Sequence, residues 1–462
     1  MLDRKTRRLL RHALGEDNIM EGVQVKHYAV DGFQPQVVLI PRTRDHVERI
    51  VVLAHEEQLA VVPWGAGTQM GLGNPPRRVD LVVCLHHLNR ITNLDPENMT
   101  ITADAGIRLA MIQESLSRHG QGFLLPLDPP CGESMTLGGA LSTNASGPCR
   151  LRYGTLRDMV VGIEVIIPGE VEHGGQTRAG GRTVKNVSGY DMGKLYIGSL
   201  GTLGIITEAT CRILPPPEDR ATVVGAFSGS EDPWRLVEAL QESQLLPSCI
   251  EFYNRETASF LTTNSNVGFN SEGGAWAAVG FEGISEAVSR QIEDIERLAR
   301  SDGVKEIQLL RGPREKAFWQ RYGQIGFEIR KRNPWSIGLK VAVPLSAAQG
   351  MSKSIDDKLL RMDVAAYQLS RGGSGISYAH MPLSEKLYRE KEKSLADMVE
   401  ALREEAGDSD GASVVVEYAP PAFKEKVDVW GGVGGMLPIM ERLKKEFDPQ
   451  AILNPGRYVG GI

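Results

Sequence analysis

Two glycine-rich stretches in the N-terminal half of this 462-residue chain are the segments best suited to chemistry. The first, Trp64-Gly65-Ala66-Gly67-Thr68-Gln69-Met70-Gly71, follows directly on the apolar run LAVVP at 59–63. Glycine carries no Cβ and tolerates positive φ, so backbone N–H groups in such a loop can approach phosphate oxygens. The loop lacks the Lys-Ser/Thr pair of a P-loop and the GxGxxG spacing of a Rossmann fingerprint. Taken alone, it reads equally as a structural turn. The second stretch, Thr136 to Gly147 (TLGGALSTNASG), packs glycines, hydroxyls and Asn144 into close order. Neutral donors at that density suit a buried pyrophosphate, with a tight barrel-like turn as the alternative. Two such loops within 150 residues point to a large bound dinucleotide.

The flanking elements must position these loops. Residues 36–41 read as a buried strand. A helix follows, with Val47, Ile50, Val51 and Ala54 on one face and Thr43 as its N-cap. With the strand at 59–63, this makes a strand–helix–strand unit, which implies a parallel pair with a right-handed crossover. Two strands flank the turn Asp95-Pro96-Glu97-Asn98, a helix follows at 106–119, and strands follow at 158–168 and 204–215. The proline run after 214 marks the end of this region. Beyond it, strands near 221–228, 275–282 and 336–343 alternate with helices such as 284–301, a pattern of α+β type. A last helix carries Met436, Met440, Leu443 and Phe447 on one stripe.

Bulk properties narrow the function. With 41% hydrophobic and 24% charged residues the chain is a folded protein of two or three domains. The net charge of -6 argues against nucleic-acid binding, and the cluster Arg330, Lys331, Arg332 reads as a solvated face. Five scattered cysteines form no CxxC pair, which excludes an iron–sulfur cluster or a structural zinc held by this chain. They fit reduced thiols in a cytoplasmic protein. The basic N-terminus lacks the apolar core of a signal peptide, and no run reaches the ~20 apolar residues that span a bilayer. Peripheral membrane attachment through a partner stays open.

The ordered series IPRT…VVPWGAGTQMGLG…DPPCGESMTLGGALSTNASG…YGTLRDMVVGIEVIIPG…KNVSGYDMGKLYIGSLGTLGIITEA resembles the PCMH-type FAD domain of the vanillyl-alcohol-oxidase superfamily. Within that group it is most similar to FAD-binding subunits of bacterial glycolate oxidase and to D-lactate dehydrogenases. The resemblance covers roughly 20–216 and resumes in FDPQAILNPGR near the C-terminus. It implies an α+β chain: a two-subdomain FAD-binding domain at 1–217, an α+β cap (substrate) domain at 218–429, and a segment at 430–462 packing back on the first domain.

It also implies particular contacts. Gly65, Ala66, Gly67, Thr68 and Gln69 would cradle the pyrophosphate. Pro129, Thr136, Gly138, Gly139, Thr143, Asn144 and Gly147 would line phosphates, ribityl chain and ring. Gly201, Gly204, Ile205 and Ile206 would stand at the adenine end, and Asn454 would return to the flavin. Members that attach flavin covalently through the first loop carry His where Thr68 stands, so dissociable FAD is expected. A link through Cys131 is the less suitable alternative.

Oxidation of a 2-hydroxy acid requires a cation for the carboxylate, a base for the hydroxyl proton and a hydride acceptor. The candidates are Arg321 as carboxylate anchor and His380 as base, followed by Lys340 and Glu417. Metal-dependent members of the group carry an HxGDGNxH-type segment and a later Glu-His pair. Here these are reduced to His380-Met381-Pro382 and Glu417-Tyr418-Ala419-Pro420, so no bound metal is expected. The stretch AFKEKVDVWG resembles instead the second, non-metal FAD subunit of glycolate oxidase. Three readings follow. The first is a flavoprotein oxidising a glycolate- or D-lactate-type acid and passing electrons to a CCG-type iron–sulfur partner or a quinone. The second is an FAD-carrying assembly or relay subunit without catalysis of its own, and the third is a sugar or alditol oxidase using O2.

Overall fold

A computed structural model of the chain describes residues 2–120, 122–169, 175–181, 190–263, 273–301, 303–407 and 411–462. Positions 185–189, at the start of the KNVSGYDMGK motif, lie outside them. The chain forms two compact units. Met1–Ser146, Gly154–Pro215 and Gly432–Ile462 make the first; Gly147–Tyr153 and Pro216–Gly431 make the second.

The first unit contains two sheets. One has the order β1-β2-β4-β3, from Ile19–Met20 (β1), Val37–Leu39 (β2), Val61–Trp64 (β3) and Leu81–Cys84 (β4). The runs VVL and LVVC are buried throughout, as strands covered on both faces must be. The expected parallel pair of β2 and β3 does not form directly: β4 lies between them, parallel to both. The linking helix Arg44–Glu56 is capped by Thr43, whose side chain accepts from His46 N–H, and it buries Val47, Ile50, Val51 and Ala54.

The second sheet, β5-β6-β9-β7-β8, is antiparallel. Its strands are Ile91–Asp95 (β5), Thr100–Asp104 (β6), Val160–Ile167 (β7), Gly175–Gly180 (β8) and Ile205–Arg212 (β9). The glycine-rich stretch expected as a loop at 136–147 is mostly helical, Leu137–Thr143, with the Thr136 hydroxyl accepting from Gly139 N–H at 3.2 Å.

The second unit is built on one antiparallel sheet of eight strands, β13-β10-β12-β11-β15-β16-β14-β17. These are Asp219–Phe227 (β10), Cys249–Asn254 (β11), Ala275–Gly283 (β12), Glu306–Arg311 (β13), Ile337–Ala342 (β14), Tyr367–Arg371 (β15), Ile376–Met381 (β16) and Ser413–Tyr418 (β17). Its apolar face packs Val223, Phe252, Val279, Leu339 and Val416 against helices that include Ser285–Ser301 and Glu385–Ala406. The opposite face is covered over part of its area by Gly312–Tyr322 and Ile325–Arg332, through Phe318, Ile325 and Ile329. The rest of that face carries Lys340, Arg371 and His380.

The C-terminal helix, Leu437–Phe447, belongs to the first unit. The expected stripe is not a core face: Met436 precedes the helix and is exposed, and the buried residue of the helix is Lys444. Phe447 still makes an edge contact with Tyr196, at 5.7 Å between centroids.

Candidate functional site

In the first unit, both glycine stretches and the C-terminal NPGR segment open on one cavity. Fourteen of the seventeen expected positions line it: Gly65, Ala66, Gly67, Thr68, Gln69, Thr136, Gly138, Gly139, Thr143, Gly201, Gly204, Ile205, Ile206 and Asn454. Pro129, Asn144 and Gly147 do not. The Pro129 carbonyl accepts from Gly132 N–H, Asn144 ends the helix in the left-handed region at φ 47°, and Gly147 is part of the second unit.

Several features of this lining fit a dinucleotide. A Cβ on Gly65 would lie 2.2 Å from Thr136 Oγ1. Gly67 has φ +74°, and a Cβ there would meet the Trp64 ring at 2.7 Å. The loop therefore presents backbone instead of side chains. Asn454 donates through Nδ2 to the Leu200 carbonyl at 2.5 Å, while its buried Oδ1 has no hydrogen-bond partner among the described residues. A buried acceptor of that kind calls for a ligand or a water.

Arg457, a lining residue missed in the sequence, donates to the carbonyls of Met70 (2.7 Å) and Leu72 (2.5 Å). Burial, opposed by Asp31, pushes its guanidinium down to about 10, so it remains a cation at neutral pH. The apolar lining residues Leu85, Ala105 and Leu200 carry no sequence signal.

The C-terminal segment is fastened beneath this cavity. Buried Asp448 accepts from Ile452 N–H (3.0 Å), Leu453 N–H (2.8 Å) and Lys444 Nζ (2.6 Å). The same ammonium donates to the carbonyls of Thr202 (2.8 Å) and Leu453 (3.0 Å).

The substrate-side candidates all fall in the second unit. His380 is on β16 and pairs with Gly338 of β14 and Tyr367 of β15. Lys340 pairs with Tyr378 of β16, which places it on the same polar face, and Arg371 lies 5.1 Å from the Tyr378 ring. The β14–β17 register skips Glu417, whose carboxyl is raised by burial against the opposing charges of Lys340, Arg371 and Arg330.

Arg321 is turned elsewhere. It donates to the Phe260 carbonyl at 3.0 Å, lies over the Phe260 ring and is 3.6 Å from Glu328. The next residue, Tyr322, faces the sheet and holds Glu251 at 2.5 Å. Arg330 also departs from the solvated-face reading: its guanidinium lies 5.6 Å from the centre of the Tyr418 ring. Among the described residues no group of three or more His, Cys, Asp or Glu side chains could hold a metal ion. No described helix is long and apolar enough to cross a membrane.

Burial, with Arg330 nearby, pushes the His380 imidazole from 6.5 down to about 4. Between those values the unfolded chain binds a proton that the folded chain does not. His380's contribution to stability is therefore present above pH 6.5 and lost as pH falls to 4, on the order of 3 kcal/mol in all. His380→Gln is expected to flatten the unfolding free energy between pH 7 and 4.5 relative to wild type. Parallel profiles would disprove the assignment.

Comparison with known proteins agrees with this geometry. The family model for an FAD binding domain matches residues 35–175, and that for the C-terminal domain of FAD linked oxidases matches 216–413 and 434–458. A glycolate oxidase subunit (GlcD) of Bacillus subtilis is 29% identical over 428 residues, 92% of this chain and 88% of that one. A D-lactate dehydrogenase of Archaeoglobus fulgidus is 27% identical, covering 92% and 91%. The crystal structure of p-cresol methylhydroxylase shares the fold at 15% identity, with a TM-score of 0.78 over 98% of this chain and 96% of that one. The chain thus belongs to the FAD-linked oxidases, with the family's FAD-binding domain followed by its C-terminal domain, and it is an FAD-binding oxidoreductase.

Proposed function

We propose that the protein oxidises a small 2-hydroxy acid of the glycolate or D-lactate type, using dissociable FAD held by the first unit. The observation that carries this reading is the polar face of the second unit, where His380, Lys340, Tyr378 and Arg371 share one side of adjoining strands. Bound FAD supplies the acceptor for the hydride equivalent that leaves the hydroxyl-bearing carbon. The protein's own part is to bind and orient the acid. Lys340, Arg330 and Arg371 give the face positive charge for a carboxylate, and Glu417, its carboxyl raised by burial, is the group that handles a proton. Arg321, engaged by Phe260 and Glu328, is not needed as the anchor. The chain has no cysteine cluster of its own, so electrons leave through a separate iron–sulfur protein or a quinone.

Anaerobic titration of the FAD-loaded protein with glycolate or D-lactate tests the reading. Bleaching of flavin absorbance supports it, and unchanged absorbance with both acids overturns it in favour of an FAD-carrying relay subunit. The Glu417-Tyr418 pair standing where metal-dependent relatives carry Glu-His is the feature that favours the relay. Acid precipitation is expected to release all the flavin into the supernatant, because Thr68 lines the cavity where a linking His would be needed. Flavin retained in the pellet would refute non-covalent attachment.

A further inference from the structure

His380 and Tyr418 lie on the two strands that flank β14, and both pair with Gly338. The missing side chain between them is what lets them meet. A Cβ on Gly338 would lie 2.3 Å from Tyr418 Cε1, so only glycine there lets the phenol lean across β14. The Tyr418 hydroxyl then reaches His380 Nδ1 at 3.0 Å, with the two rings 4° from parallel. A second gap receives the imidazole from the helix above: a Cβ on Gly326 would be 2.8 Å from His380 Cε1. Both side chains are buried.

Proton accounting decides what this pair can do. Burial and the adjacent Glu417 push the Tyr418 phenol far up, so it keeps its hydrogen. A buried O–H needs an acceptor. Among the described residues His380 Nδ1 is the one this hydroxyl reaches. A neutral imidazole accepts on one nitrogen and donates from the other. If Nδ1 accepts, Nε2 carries the proton and cannot take up another from a substrate hydroxyl. Burial and the Arg330 guanidinium keep the ring neutral around pH 7.

We infer that Tyr418 is a positioning residue that locks His380 as its Nε2–H tautomer, and that His380 holds an anionic oxygen as a hydrogen-bond donor instead of serving as a base. Arg330, over the Tyr418 ring, adds positive charge at the same place. That the anion is the carboxylate of a 2-hydroxy acid rests on the function proposed above; the tautomer does not.

The test uses full-length, FAD-loaded protein with 15N-labelled histidine, His380→Gln identifying the His380 signals. At pH 7 the expected pattern is a protonated Nε2 and a bare Nδ1, and oxalate, an unreactive dicarboxylate, shifts the Nε2 signal. In Tyr418→Phe the ring no longer holds one tautomer and oxalate binds about tenfold more weakly, the loss of roughly one hydrogen bond. A proton on Nδ1 in the wild type, or a charged ring, overturns the inference, and this reading stands even if the variant fails to fold. An Nε2–H ring that oxalate leaves unmoved overturns the anion-holding role. If oxalate shifts His380 while glycolate and D-lactate leave the flavin oxidised, the proposed reaction fails and the anion site stands.

Discussion

Arg44→Met is expected to lower the unfolding free energy of the first unit by about 3–5 kcal/mol, the usual cost of removing one partner from a buried ion cluster. Asp104, Glu164 and Glu208 stand side by side on β6, β7 and β9, Glu208 pairing with each of the other two. All three are buried, and carboxylates directly opposite one another on a sheet repel. The Arg44 guanidinium enters from the first sheet's helix and meets all three, at 3.0 Å (Asp104), 3.1 Å (Glu164) and 2.5 Å (Glu208). Arg90 also contacts Asp104 and Arg178 contacts Glu164, but among the described residues Glu208 otherwise has only the Thr92 hydroxyl as a side-chain partner. Urea unfolding of the apoprotein reads the effect. Adding Glu208→Gln to Arg44→Met should recover part of the loss, because it removes the charge left without a counter-ion. A single variant within about 1 kcal/mol of wild type would show that the cluster is not what joins the two sheets.

The cavity was legible in the sequence because phosphate recognition by backbone leaves a local mark: glycines in a short loop at the end of an apolar strand. The same logic misread 136–147. Gly138 and Gly139 look like loop residues, yet the segment is helical, and a Cβ on Gly138 would press on Ala105 at 2.8 Å. There the glycine serves close packing of helix on sheet, which composition alone does not distinguish from a turn.

The substrate face was much less legible. It is assembled by pairing between strands far apart in sequence, and short mixed strands such as YQLSR and ISYAHM show little alternation. Nothing in FWQRY says whether Arg321 or Tyr322 turns toward the sheet, since neighbours on a helix point about 100° apart. Tyr418 passed unnoticed for a related reason. It owes its contact with His380 to a glycine on a third strand.

Asp448→Asn is expected to weaken FAD binding at least tenfold while leaving the second unit intact. The substitution removes the charge that balances Lys444, whose side chain is 8% exposed, and leaves the ammonium with neutral acceptors alone, among them the carbonyls of Thr202 and Leu453. An uncompensated buried ammonium costs about 3–5 kcal/mol, and the cheapest response is for the segment after Phe447 to let go. That segment carries Asn454 and Arg457 to the cavity wall, and Arg457 ties down the glycine loop through Met70 and Leu72. Apparent affinity falls by the fraction of molecules that keep the segment docked, so Kd should rise with detachment. Burial already lowers the Lys444 pKa in the wild type and Asp448 opposes that shift; without the carboxylate it drops further. A group whose folded pKa is depressed destabilises the fold less as pH rises, so the deficit of the variant should shrink between pH 7 and 9. Flavin fluorescence titrations at the two pH values measure both effects. A variant that binds FAD as tightly as wild type at pH 7 would show that the C-terminal return is dispensable for the cofactor site.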